Sequence, residues 1–223
     1  MSSSDRDTAV RRRVTALPFR LHASATCPPP VELALSLAWE LDGLDAERVE
    51  RALLALGAAI APEFERDPAA QLQALGEIVA TGTLTARVDG GPSELLIDHA
   101  LERGHGDPTL IAIVLDELGR RAGLTVGIVA GERGHFIAHQ RLTEARVLDP
   151  VTGGLVDADE LGVLRWQCGH QLAAALLDVL QPRFERRGDL TRAMTVARLR
   201  YTLPFEDMSH AERRLRRLSA RLN

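Results

Sequence analysis

An imidazole within hydrogen-bonding reach of a carboxylate can serve as a general base or orient a nucleophile, and in this 223-residue chain His135 and Asp149 are best placed for that work. His135 stands in Gly134-His135-Phe136 and Asp149 in Leu148-Asp149-Pro150. Residues 124–130, 135–140 and 144–149 are short, rich in β-branched or apolar side chains and separated by Gly or polar turns, so they read as strands. If the last two form a hairpin around Arg141-Leu142-Thr143, paired residue numbers sum to 284, Ile137 faces Val147 and His135 faces Asp149. Directly opposed side chains have Cβ atoms about 4.5–5.5 Å apart, which puts the ring and the carboxylate in contact. A loop longer or shorter by one residue breaks that opposition. An ionised Asp149 there raises the His135 pKa unless burial opposes it more strongly. The same pair reads equally as a core imidazole held by a carboxylate.

The element that must position this pair precedes it. In Gly106-Asp107-Pro108-Thr109-Leu110, Asp107 can cap free backbone N–H groups, Pro108 suits the first helical position, and an apolar run follows. Leu110, Ile111, Val114, Leu115 and Leu118 form one stripe, Asp116, Glu117 and Arg120 the other side, and Gly123 ends the helix. The helix is expected to pack by the face nearest Pro108.

Other chemistry has weaker placement. Thr109 offers a hydroxyl, but one helical step turns it about 100° from Pro108, toward the Asp116 and Arg120 side. Cys168, in Trp166-Gln167-Cys168-Gly169-His170, reads as a structural thiol, and Cys27 follows a basic tail. His135 and His139 have the spacing of a helical zinc pair, yet on a strand they lie about 13 Å apart, too far for one metal. His99 and His105 are no better, so no metal site is expected. Without lysine no phosphate-binding loop of the Gly-rich, Lys-containing type exists, and no cofactor is expected.

Helix, sheet with a histidine, then a strand ending in aspartate is the order in which transglutaminase-like and papain-like folds present a Cys-His-Asp triad. Arg103-Gly104 through Asp107-Pro108-Thr109-Leu110, then Gly134-His135-Phe136-Ile137, then Leu148-Asp149-Pro150 with Gly153-Gly154, resembles the SirB1 family of transglutaminase-like proteins. The resemblance spans roughly residues 31–200 and is specific over 103–154. It departs from the family pattern at Gly104-His105-Gly106, at Arg133 before Gly134 and at Val151-Thr152. It implies an α+β fold with a transglutaminase-like, papain-like core, a small antiparallel sheet, a helical amino-terminal lobe and a carboxy-terminal helical hairpin. It also places Pro108 where transglutaminase-like proteins keep their nucleophilic cysteine, leaving His135 and Asp149 as a triad remnant. Proline offers neither nucleophile nor N–H. The implied function is a non-catalytic binding or scaffold protein, with a cleft made of Asp107, Pro108, Thr109, Gly134, His135, Phe136, Asp149 and Pro150. The alternative is a hydrolase or acyl transferase using His135 and Asp149 with a non-standard nucleophile or an activated water. A third reading is a structural partner whose helical ends dock another subunit.

Composition bounds the rest. Hydrophobic residues make up 45% and aromatics only 4%, which predicts a core of Leu, Ala, Val and Ile. All 27 basic residues are arginines, so no side-chain amine is available for self-crosslinking or a Schiff base. The formal charge of -4 argues against broad nucleic-acid affinity, and two distant cysteines make no disulfide framework. No apolar run approaches a membrane span and no signal peptide is visible, so the expectation is a cytoplasmic protein; the resemblance implies a protein or peptide partner.

Residues 1–16 read as a disordered basic tail, 31–165 as the SirB1-like domain, and 169–223 as a helical extension. Within these, 31–41, 46–61, 68–80 and 94–103 have helical apolar spacing, with Asp45, Asp67 and Ser93 as caps, and 81–92 reads as a loop. After Gly154 a short helix at 159–164 and a long one at 169–187 are predicted. Gly188-Asp189 then starts another at 190–201, and this pair resembles one tetratricopeptide-like hairpin; a last Arg-rich helix starts at Ser209.

Overall fold

A computed structural model describes residues 18–60, 67–142 and 145–204. The amino-terminal tail and the helix expected after Ser209 lie outside these residues. The organising element is the helix Pro108–Arg121, and the chain before it is helical: α1 Phe19–Ala23, α2 Pro30–Asp42, α3 Ala46–Ile60, α4 Pro68–Ala80, a 3-10 turn Pro92–Leu95 and α5 Ile97–Arg103. The segment read as a loop holds a short strand, β1 Thr85–Ala86, which pairs in parallel with β2 His105–Gly106. The helix predicted from 94 divides, because Leu96 is extended at φ -105° and ψ 127° between the 3-10 turn and α5.

The central helix, α6 Pro108–Arg121, starts where its sequence says it should: the Asp107 carboxylate accepts the Thr109 N–H at 3.0 Å, and Pro108 fills the first position. Its polar side is not solvated as predicted. Every residue from Leu110 to Gly119 is buried, including Asp116 and Glu117. The reason is that α6 is covered on both sides. Arg121 bridges Glu117 to Glu50 of α3, with nitrogen–oxygen distances of 2.7–3.0 Å, while β3 Val126–Gly131 and β4 Gly134–His139 pack on the opposite side.

These strands belong to a five-stranded antiparallel sheet in the order β6-β5-β4-β3-β7, completed by β5 Arg146–Leu148, β6 Leu155–Asp157 and β7 Arg165–Trp166. Ile128, Ile137 and Leu148 face the main core, whereas Val129, Phe136 and Val147 form a smaller apolar cluster with Leu161 on the other face. The short helix expected at 159–164 is a 3-10 turn, Ala158–Leu161. Two packed helices, α7 Gly169–Arg186 and α8 Leu190–Tyr201, then close over α2. Among the described residues no helix is long and apolar enough to cross a membrane.

The α4 helix touches the turn after β5 backbone to backbone. A methyl group at Gly76 would run into the carbonyl oxygen of Gly153 and approach Leu148 Cδ1 at 2.9 Å, and Gly153 itself has φ +73°. Gly76→Ala should therefore cost about 1–3 kcal/mol despite the better helix former, because a backbone carbonyl cannot turn aside. A chemical-denaturation midpoint unchanged from wild type would show that the α4 contact is looser than described.

Candidate functional site

The start of α6 and the start of β4 meet. Thr109 Oγ1 lies 3.1 Å from His135 Nδ1, the hydrogen bond that joins the predicted helix to the predicted histidine. Thr109 was expected to point away from the cleft with Asp116 and Arg120. It does share their side of the helix, but that side is the one the sheet covers, so the hydroxyl meets the strand instead of solvent. Polar residues marked this face as outward only as long as the sheet was not in view.

His135 and Asp149 do not pair. Ile137 is opposite Leu148, so paired numbers sum to 285 and not to the predicted 284. Residues 140–145 separate the strands, an even number where the predicted three-residue loop is odd, and a shift of one residue moves the following side chains to the other face. Extending the register puts Asp149 level with Phe136, away from the α6 face on which His135 lies. The Asp149 carboxylate is occupied within its own turn: Oδ1 accepts the Val151 N–H at 2.8 Å and Oδ2 accepts the Thr152 hydroxyl at 3.1 Å. The Asp149 and Gly153 backbones close the same turn through Gly154 and Asp149 carbonyls, both at 2.9 Å.

With no carboxylate beside it, His135 responds to burial alone, which pushes its pKa below the usual 6.5 and leaves the ring neutral at pH 7. A neutral ring can take the threonine proton as an acceptor or give its own. His135 should thus titrate below 6.5 in an NMR pH series, and Asp149→Asn should leave that value where it was. A shift on that substitution would restore the carboxylate contact.

Of the other predicted site residues, some lie beside this pair and some do not. Asp107 is buried, Pro108 and Thr109 are half-buried, and Gly134 is exposed with φ +132°, a value that suits glycine at the tight turn between β3 and β4. Phe136 faces the smaller apolar cluster on the far side of the sheet, and Pro150 is buried beyond Asp149. The helix and strand therefore bring Asp107, Pro108, Thr109 and His135 together, without Asp149 or Phe136.

Arg183 of α7 is the residue that sequence reading missed. Its guanidinium is buried, donating to the Val88 carbonyl at 2.8 Å and to Asp107 Oδ2 at 3.3 Å. Burial raises the Asp107 pKa, while the Thr109 N–H and the Arg183 charge pull it back down. The signal was available: Leu176, Leu180 and Arg183 follow one helical stripe, and an arginine on an apolar stripe calls for a buried anion.

The other histidines among the described residues have structural partners. His139 is buried, its Nδ1 accepting the Arg141 N–H at 3.1 Å, which leaves Nε2 to donate to Gln71 Oε1 at 2.9 Å. Burial, aided by Arg141, lowers its pKa. His99 faces Asp42 at 3.7 Å and His105 faces Glu94 at 3.9 Å. Among the described residues no group of three His, Cys, Asp or Glu could hold a metal ion.

Comparison with known proteins agrees with this architecture. No curated protein matches the chain. A solved structure of menin, described as revealing the binding site for Mixed Lineage Leukemia (MLL) protein, superposes with a TM-score of 0.45 at 12% identity. The alignment covers 91% of this chain and 60% of that one, so the chain spans less than two thirds of menin's length. A likeness that loose carries nothing of menin's fold or partner to this protein. The profile of the Transglutaminase-like superfamily, in contrast, matches residues 47–187, which contain α6, the sheet and the Thr109–His135 contact. With well over half of its length matched, the chain belongs to the transglutaminase-like superfamily.

Proposed function

We propose that this chain is a non-catalytic, SirB1-type binding or scaffold protein whose degenerate transglutaminase-like cleft, at the start of α6, holds a protein or peptide in the cytoplasm. The observation that carries the reading is the partner of His135: a threonine hydroxyl beside Pro108, with Asp149 committed to its own turn. A thiolate nucleophile has no counterpart there, and no carboxylate orients the ring. What is left is a half-buried, uncharged hydrogen-bonding pair at a helix start, suited to backbone amides of an extended segment. The packed helices α7 and α8, resembling one tetratricopeptide-like hairpin, would add a second surface for the same partner.

One observation favours a second reading. Thr109 Oγ1 and His135 Nδ1 at 3.1 Å have the separation of a nucleophile and its base. In that case His135 takes the hydroxyl proton while Oγ1 attacks the carbonyl carbon of an ester or amide, and the ring returns that proton to the departing alcohol or amine as the old bond breaks; water then hydrolyses the acyl-threonine, releasing the acid and restoring the hydroxyl. A panel of activated esters and peptide amides separates the two. No turnover above buffer is expected, and displayed peptides selected on the immobilised chain should lose capture when Thr109→Arg fills the cleft. Steady turnover abolished by both Thr109→Ala and His135→Ala would replace the binding reading with the acyl-transfer one.

A further inference from the structure

Asp116 sits eight residues along α6 from Pro108, about 12 Å from the cleft, and the proposed cleft makes no use of it. Asp116 is only 5% exposed, and among the described residues no donor reaches Oδ1. A buried carboxylate oxygen without a donor is costly, and proteins rarely keep one without a use for it. Oδ1 itself has almost no accessible surface, but the residue lines a hollow of about 300 Å³ between the segment before α2, strand β3 and the junction of β7 with α7.

The walls of this hollow define what fits it. Trp166 is 54% exposed and lies against Gly127, where a Cβ would come within 2.8 Å of the indole, so the ring is held on the sheet with most of its surface free. Pro28, Pro29 and Pro30 form an apolar wall, and Gln140 and Gln167 add polar groups at the margin. Arg120 also borders the hollow, but it is exposed and makes no ion pair with Asp116 among the described residues.

We propose that this hollow is a second binding site, separate from the cleft, for a small organic cation: an ammonium or guanidinium head on an apolar stem. Asp116 accepts the N–H of the head, and Trp166 with the proline wall covers the charge and the stem. Each part of the chemistry has its group. A desolvated carboxylate forms stronger charge-assisted hydrogen bonds than an exposed one, and an indole face attracts cations. A neutral apolar ligand would leave the carboxylate without a donor, and an anion would meet its charge. Because the chain has no lysine, any primary alkyl ammonium side chain that enters belongs to another molecule.

The full chain is titrated calorimetrically at about pH 8.5, where alkylammonium ions remain charged, with butylammonium, butylguanidinium and tetramethylammonium as probes. In parallel, alkylation of Cys27 and Cys168, both unpaired and both lining the hollow, is followed site by site by mass spectrometry. Butylammonium or butylguanidinium should bind and slow alkylation of Cys168, the tighter of the two identifying the head group. Tetramethylammonium, charged but without N–H, should bind about tenfold more weakly or worse. Asp116→Asn should weaken the better probe by about tenfold or more, and Trp166→Ala, at a half-exposed edge-strand position and checked as folded by circular dichroism, by a few-fold. The proposal is overturned if neither probe binds the wild type, if Asp116→Asn binds as well as wild type while folded by circular dichroism, or if tetramethylammonium binds equally well. Binding that emerges only after Arg120→Ala would also overturn it, since the chain's own guanidinium would then be the occupant.

Discussion

Arg183→Met should destabilise the chain by about 3–5 kcal/mol, the cost of leaving a buried charge without its partner. Asp107 and Arg183 side chains are each 9% exposed, so solvent does little to screen the loss. The variant removes the 3.3 Å contact to Asp107 and the 2.8 Å hydrogen bond to the Val88 carbonyl together. Asp107 cannot simply be released, because it caps α6 through the Thr109 N–H and so fixes the residue that meets His135. The expected drop in melting temperature is about 6–20 °C for a chain of this size. The pH dependence should change as well. Burial already raises the Asp107 pKa against the pull of Arg183, and without the arginine it rises further. A carboxyl group with a raised folded-state pKa holds its proton more tightly in the native state, so the variant's stability should fall as pH rises through that value. Asp107→Asn combined with Arg183→Met should be less damaging than the sum of the two single changes, since the orphaned charge is gone. Additive losses in urea unfolding would show that the pair is not coupled.

Asp116→Asn should remove the steepest pH dependence in the molecule. Burial, opposed by Arg120 and reinforced by Glu117, raises the Asp116 pKa from 3.8 to about 7. The folded state therefore binds this proton more tightly than the unfolded chain, and the stability it contributes is present below about pH 4 and lost as pH rises to about 7. At about 1.4 kcal/mol for each tenfold difference in proton affinity, the loss is about 4 kcal/mol. Asparagine cannot ionise, so the stability of the variant relative to wild type should be greater at pH 8 than at pH 4 by about that amount. The difference between the two proteins is the quantity to measure, because other carboxylates act in the opposite direction. Asp189, for example, is held below its ordinary value chiefly by the Arg192 N–H. Parallel stability curves for wild type and variant would mean that Asp116 titrates in the folded protein as it does in the unfolded chain.

Local chemistry was legible wherever it is decided by neighbours in the chain. Asp107 and Pro108 announce the start of α6, Asp67 and Pro68 that of α4, and Asp189 that of α8, because a cap and a fixed φ act within one helical turn. The strands around His135 were legible for the same reason, as short apolar runs between turn residues. The meeting of the 108–121 helix with His135 followed from the order of the three motifs.

Tertiary structure alone decided what those elements show one another. The parity of the 140–145 connection, not the residues in it, sets the face on which Asp149 emerges, and a period of two makes a one-residue difference complete. Thr109 and Asp116 look like part of a solvated side of α6 until the sheet is laid across them; amphipathic patterning reports how polar a face is, not what covers it. Arg183 finds Asp107 from 76 residues away, a separation over which sequence carries no distance information. Sequence by itself therefore determined the helix start, the strand and the histidine, since hydrogen bonds and dihedral preferences act locally. Packing decided that a threonine and not an aspartate meets that histidine, because only the folded register fixes which side chains share a face.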